Sequence, residues 1–200
     1  MNSRETSELA SLFNCHLYVI SESVELLKKA LDNGVRIIQL RDKFGGLGEI
    51  STKAKKLIEY KKEKNFIFIV NDYPELAIEV GADGVHIGQD FSISEARQII
   101  GSRLILGKST HSIEQGLQAQ ADGADYISVG PVFSTPTKLG RKAVGLEYVR
   151  QAAGRIIIPM VAIGGINLSN INEVLQAGAK TIGVVRAASE ASQLLKILCK

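Results

Sequence analysis

Four glycine turns, each leading straight into a short apolar run, recur along this 200-residue chain: NGVRIIQL, GADGVHIG, GADYISVG and GAKTIGVV. Their glycines, Gly34, Gly81, Gly123 and Gly178, are 47, 42 and 55 residues apart. Glycine is what a helix C-terminus needs before the chain reverses into a sheet. Each spacing holds two βα units, so the four turns should precede every second strand of an eight-strand alternation. Eight runs are present: 16–20, 36–40, 66–70, 84–87, 104–107, 126–130, 160–164 and 181–185. Most are apolar on both faces, as buried parallel strands are. Between them, 23–33, 92–100, 168–177 and 189–198 carry apolar residues at helical spacing. A two-unit module repeated four times suits a closed (β/α)8 TIM barrel better than an open doubly wound sheet, whose strand order reverses. The reading is one α/β domain over 1–200, with 1–15 an N-terminal extension or helix before strand one.

Composition narrows the function. An apolar fraction of 45% and a net charge of +3 exclude a charge-rich disordered chain and give no electrostatic case for nucleic acid. No apolar run is long enough to cross a bilayer, and no tryptophan is present for stacking on single strands. The first fifteen residues lack the apolar centre of a secretory signal, so a cytoplasmic location is expected. Cys15 and Cys199 stand alone, without metal spacing. The basic stretch 53–64 reads as a solvated helix face. Small-molecule substrates, with no nucleic acid or membrane partner, are the expected partners.

In a barrel the chemistry lies where strands end. Strand two runs into Gln39, Arg41, Asp42 and Lys43; strand three into Asn71 and Asp72; strand four into Gln89 and Asp90. Strand five runs into Lys108, Ser109, Thr110 and His111, and strand six into Thr135, Thr137 and Lys138. Asp72 and Asp90 follow neighbouring strands and suit a shared hard cation, Mg2+. Aspartate is also a preferred N-cap, and each reads equally well as the cap of the helix that follows. Arg41, Lys43 and Lys138, with the Thr135 and Thr137 hydroxyls, suit a diphosphate bridged by that metal. The AIGGIN turn at 162–167 suits a phosphate approached by backbone amides, with Arg186 as a second contact or a surface charge. His86 sits within a strand, where packing is the commoner role. Ser109 and His111 are too close in sequence to argue a hydrolase triad.

Seven motifs, QLRDK, VND, GADGVHIGQD, LGKSTH, GADYISVGPVFSTPTK, VGLE and VAIGGIN, stand in this order over roughly residues 16 to 187. Together they resemble the thiamine phosphate synthase family. The resemblance implies a Mg2+-dependent transferase. It would join 4-amino-5-hydroxymethyl-2-methylpyrimidine diphosphate to a thiazole phosphate, releasing pyrophosphate through a pyrimidine methylene cation. It implies Asp72 and Asp90 as metal ligands, and Arg41, Lys43, Asn71, Ser109 and Lys138 at the diphosphate and leaving group. Gln39 and His86 would line the pyrimidine pocket, Thr135 and Thr137 the thiazole phosphate region, and Gly165 would be its backbone anchor. The chain departs from the family pattern at three places. The loop after Gln89 is one residue short, Arg186 replaces a small hydroxyl residue, and Lys108 replaces an apolar one. Alternatives are a thiazole tautomerase-like isomerase and a non-catalytic phosphate binder. The 133–145 loop, rich in Gly, Lys and Arg, is expected to close over ligand.

Overall fold

A computed structural model describes residues 17–136 and 142–199. Eight parallel strands close into a barrel in sequence order: β1 (Leu17–Ser21), β2 (Ile37–Leu40), β3 (Ile67–Asn71), β4 (Gly84–Ile87), β5 (Ile105–Thr110), β6 (Tyr126–Val129), β7 (Met160–Ile163) and β8 (Thr181–Val184). β8 pairs back onto β1 through Leu17 and Ile182, so no sheet edge is left open. The helices are α1 (Val24–Asp32), α2 (Leu47–Tyr60), α3 (Pro74–Val80), α4 (Ile93–Ile100), α5 (Ile113–Ala121), α6 (Gly145–Arg155), α7 (Ile171–Gln176) and α8 (Ala191–Leu198), with a 3-10 turn at Arg186–Glu190 before the last. The proposed N-terminal extension lies outside the described residues. No helix among the described residues is long and apolar enough to cross a membrane.

Side chains alternate across each strand and so divide the interior into two cores. Leu17, Val19, Ile38, Leu40, Phe68, Val70, Val85, Leu106 and Ile127 face outward and pack under the helices. Tyr18, Ile20, Ile37, Ile67, Ile69, Ile105, Tyr126 and Val161 face inward and fill the barrel. The four repeated glycines all have positive φ, between 73° and 98°, which explains why glycine recurs there.

The GAD repeat carries a second device. Asp83 accepts from Phe68 N at 2.6 Å and pairs with Lys61, the C-cap of α2. Forty-two residues later in sequence, Asp125 accepts from Leu106 N at 2.7 Å and pairs with Arg97 of α4 at 2.7 Å. Each aspartate satisfies a strand amide and ties a helix to the barrel. The expectation for 53–64 is therefore too simple, because Lys53 also bonds buried Asp42 at 2.7 Å. Two lysines of that face are structural.

Two boundaries differ from expectation by three residues. The pattern at 168–177 becomes a helix only from Ile171, since Asn167 accepts from Ser169 N at 2.8 Å and holds the chain in a turn. β5 runs on through Thr110 instead of ending at Gly107. Ser109 is thereby a barrel residue and not a loop residue.

Candidate active site

The upper layer of the barrel interior is polar. Gln39, Asn71, His86 and Ser109 are all buried and occupy inward positions of β2, β3, β4 and β5. Register puts Asn71 beside His86, His86 beside Gly107, and Gly107 beside Tyr126. The lack of a side chain at Gly107 lets two rings meet above it. A Cβ there would lie 2.2 Å from Tyr126 Cζ and 2.4 Å from His86 Nδ1. His86 consequently contacts Tyr126 OH at 2.9 Å through Nδ1 and Ser109 Oγ at 3.0 Å through Nε2. Tyr126 OH meets Tyr18 OH at 3.0 Å, and Gln39 Nε2 donates to Tyr18 OH at 2.7 Å. Burial pushes both phenols well above the usual tyrosine range, so both stay protonated. Sequence reasoning missed both tyrosines. Their signal was a polar-tipped aromatic at an inward strand position.

At the mouth, Asp72 is the one described non-glycine residue with positive φ, at 65°, a conformation aspartate tolerates better than most residues. Its Oδ2 pairs with Lys43 and accepts from Asn71 Nδ2 at 2.6 Å, while Oδ1 accepts from Gly88 N at 3.2 Å. The carboxylate thus joins the ends of β2, β3 and β4. Arg41 is half-buried beside it; burial pulls its guanidinium down from its usual pKa, opposed by Asp72 and Glu22. The capping reading of the two aspartates fails, because the N-cap of α3 is Tyr73 and that of α4 is Ser92. Ser92 accepts from Glu95 N at 3.1 Å in a reciprocal capping box. Asp90 is exposed at the tip of the β4 loop.

Lys108 now has a physical role. Its position on β5 faces outward, and its ammonium reaches up to donate to Gly88 O at 2.7 Å and Phe91 O at 2.6 Å. It therefore staples the short loop that carries Asp90. Burial lowers its pKa, and Asp90 is the leading opposing charge. Gln89 also bonds the Ser109 carbonyl. Asp42 is structural, accepting from Phe44 N at 3.0 Å and Gly45 N at 2.7 Å. His111 bonds the Gly130 carbonyl through Nδ1.

A separate cleft of about 370 Å³ opens between the ends of β6, β7 and β8, lined by Thr135, Gly164, Gly165, Asn167 and Arg186 among others. Its glycine pair is a packing requirement. A Cβ at Gly165 would lie 2.8 Å from Phe133 Cβ, and one at Gly164 2.5 Å from Pro131 Cα. The β6 loop can lie on the β7 turn only because both side chains are missing. Thr137 and Lys138 lie outside the described residues.

Among the described residues no three His, Cys, Asp or Glu side chains converge as a metal site. Asp72 and Asp90 alone would give an incomplete shell. That donor set still fits Mg2+, which commonly takes one or two carboxylates and completes its shell with phosphate oxygens and water.

A closed parallel barrel with its inward polar residues gathered at the strand C-termini is a (β/α)8 barrel of the type that builds ligand sites from βα loops. The sequence model of the thiamine monophosphate synthase family matches residues 13–188, and the chain belongs to that family. It is 46% identical to a thiamine-phosphate synthase of Gloeobacter violaceus over 176 residues, covering 86% of this chain and 52% of the relative. It is 43% identical to that of Shouchella clausii over 164 residues, covering 81% and 78%. The solved thiamine phosphate pyrophosphorylase from Pyrococcus furiosus superposes with a TM-score of 0.85 at 35% identity, covering 94% of this chain and 97% of that one. The chain spans about half the length of the cyanobacterial relatives it matches.

Proposed function

We propose that this barrel condenses a pyrimidine-methyl diphosphate with a thiazole phosphate to give thiamine phosphate and pyrophosphate. One observation carries the reading: Arg41, Lys43, Asn71 and Asp72 gather at the ends of β2 and β3 beside a buried polar layer (Gln39, His86, Ser109), and a glycine-lined cleft with Thr135, Gly165 and Arg186 opens at the ends of β6, β7 and β8. A pyrimidine diphosphate and a thiazole phosphate that react with each other need two anion sites at one barrel mouth. Family membership supports the same substrates.

In the proposed reaction the bond between the pyrimidine methylene carbon and the diphosphate oxygen breaks, and its electron pair leaves with pyrophosphate. The thiazole nitrogen lone pair then forms the C–N bond, and no proton has to be abstracted. That balance calls for no Ser-His-Asp triad. The protein's task is electrostatic: Arg41, Lys43 and Lys138 would hold the leaving diphosphate, with Asn71 and Ser109 donating hydrogen bonds to it. Gln39 and His86 would orient the pyrimidine. Thr135, Thr137 and Gly165 would seat the thiazole phosphate. Mg2+, held by Asp72 and Asp90, would neutralise charge on the diphosphate oxygens. An exposed Cys199 thiol and small-molecule substrates support a cytoplasmic setting.

The test is product formation by the purified chain with both substrates and Mg2+. Thiamine phosphate is the expected product. A folded chain that binds thiazole phosphate and forms none would replace this reading with a non-catalytic binder.

A further inference from the structure

The buried chain of hydroxyls beneath the pocket has a direction, and that direction reaches Ser109. Tyr18 is 1% exposed, and among the described residues its hydroxyl has two partners, the Gln39 amide nitrogen at 2.7 Å and Tyr126 OH at 3.0 Å. An amide nitrogen donates and does not accept. The single Tyr18 proton therefore goes to the Tyr126 oxygen. With its oxygen accepting, Tyr126 gives its own proton to His86 Nδ1 at 2.9 Å. A neutral imidazole that accepts at Nδ1 carries its hydrogen on Nε2. Nε2–H then donates to Ser109 Oγ at 3.0 Å. The reverse polarity would leave the Tyr18 proton buried without an acceptor among the described residues, which is the costlier arrangement.

We infer that Tyr18 and Tyr126 are positioning residues that fix His86 as the neutral Nε2–H tautomer, leaving the Ser109 hydroxyl proton free to point at an anionic ligand in the barrel mouth. Each link has its cause in the strands. Inward parity places the four side chains in the barrel, and Gly107 leaves the gap through which His86 and Tyr126 touch. Ser109 accepts from behind and donates in front, a polarity suited to an oxyanion. The tautomer follows from this chain of bonds alone, while the role of the Ser109 proton rests on the proposed synthase reading.

The experiment is nitrogen NMR on protein labelled with 15N-histidine, with the His86 signals identified by their loss in His86→Asn. The wild type should show an unprotonated Nδ1 and a protonated Nε2. Tyr126→Phe should lose that preference, and its kcat should fall about tenfold with KM moving less than about threefold. Ser109→Ala should keep the tautomer and lose kcat. A wild-type His86 protonated at Nδ1, or an unchanged tautomer in Tyr126→Phe, overturns the inference whatever the activity. A fully active Ser109→Ala with the tautomer intact overturns instead the assignment of Ser109 to the leaving group. The wild-type spectrum decides the tautomer even if Tyr126→Phe fails to fold.

Discussion

The Lys43 ammonium is ion-paired with Asp72 at the barrel mouth, on the same carboxylate oxygen that accepts from the Asn71 amide. A cation and an amide thus converge on the carboxylate proposed to hold the metal, and the other oxygen is fixed by Gly88 N at 3.2 Å. The carboxylate is positioned before any ligand arrives.

Asp72→Asn should therefore raise the Mg2+ concentration for half-maximal rate by about tenfold or more. Asparagine tolerates positive φ, and Tyr73 is the N-cap of α3, so the melting temperature should barely move. A metal titration alongside thermal melting checks both. An unchanged Mg2+ response would remove Asp72 from the metal site.

Lys108→Met keeps the outward apolar stem and deletes both bonds to the β4 loop. Stability should fall by about 1 kcal/mol, and amide exchange at 88–91 should quicken. KM for the pyrimidine diphosphate should rise more than KM for the thiazole phosphate, because only the former is placed beside Asp90. Equal changes in both would reduce Lys108 to a purely structural residue.

Arg186 lines the cleft with Gly165 and is exposed to solvent there. Arg186→Ser should raise KM for thiazole phosphate about tenfold at low salt, the effect of losing one charge-assisted contact. A lower KM would show that the arginine obstructs the cleft.

Two backbone amides and Lys53 pull the Asp42 carboxyl down from 3.8 to about 2, with Lys53 the largest cause. A folded-state value below the unfolded one adds stability above about pH 4 that disappears as pH falls toward 2. The melting temperature of Asp42→Asn should lie below wild type at neutral pH, and the gap should close across that window. A gap constant from pH 5 to 2 would contradict the ion pair.

The barrel was legible because its repeat is written in glycines. Gly34, Gly81, Gly123 and Gly178 mark every second unit, and all four adopt the positive φ that their turns require. Strand-end reasoning singled out Asn71 and Ser109, whose inward positions follow from parity, while His86 was drawn in only by the family resemblance. It left Asp72 and Asp90 between ligand and cap, because one side-chain type serves both purposes and only coordinates show that Tyr73 and Ser92 hold the cap positions. Lys108 was opaque for another reason. Its partners are carbonyls, and a carbonyl has no letter in the sequence. Tyr18 and Tyr126 were hidden by distance, their contact spanning 108 residues of chain.

The most direct test of group transfer at this site is pyrophosphate release by the wild-type chain, with both substrates, with thiazole phosphate omitted, and with Mg2+ chelated. Release matched one to one by thiamine phosphate, and abolished by the chelator, is the predicted result. Release that proceeds unchanged in chelator, or without product, would contradict it.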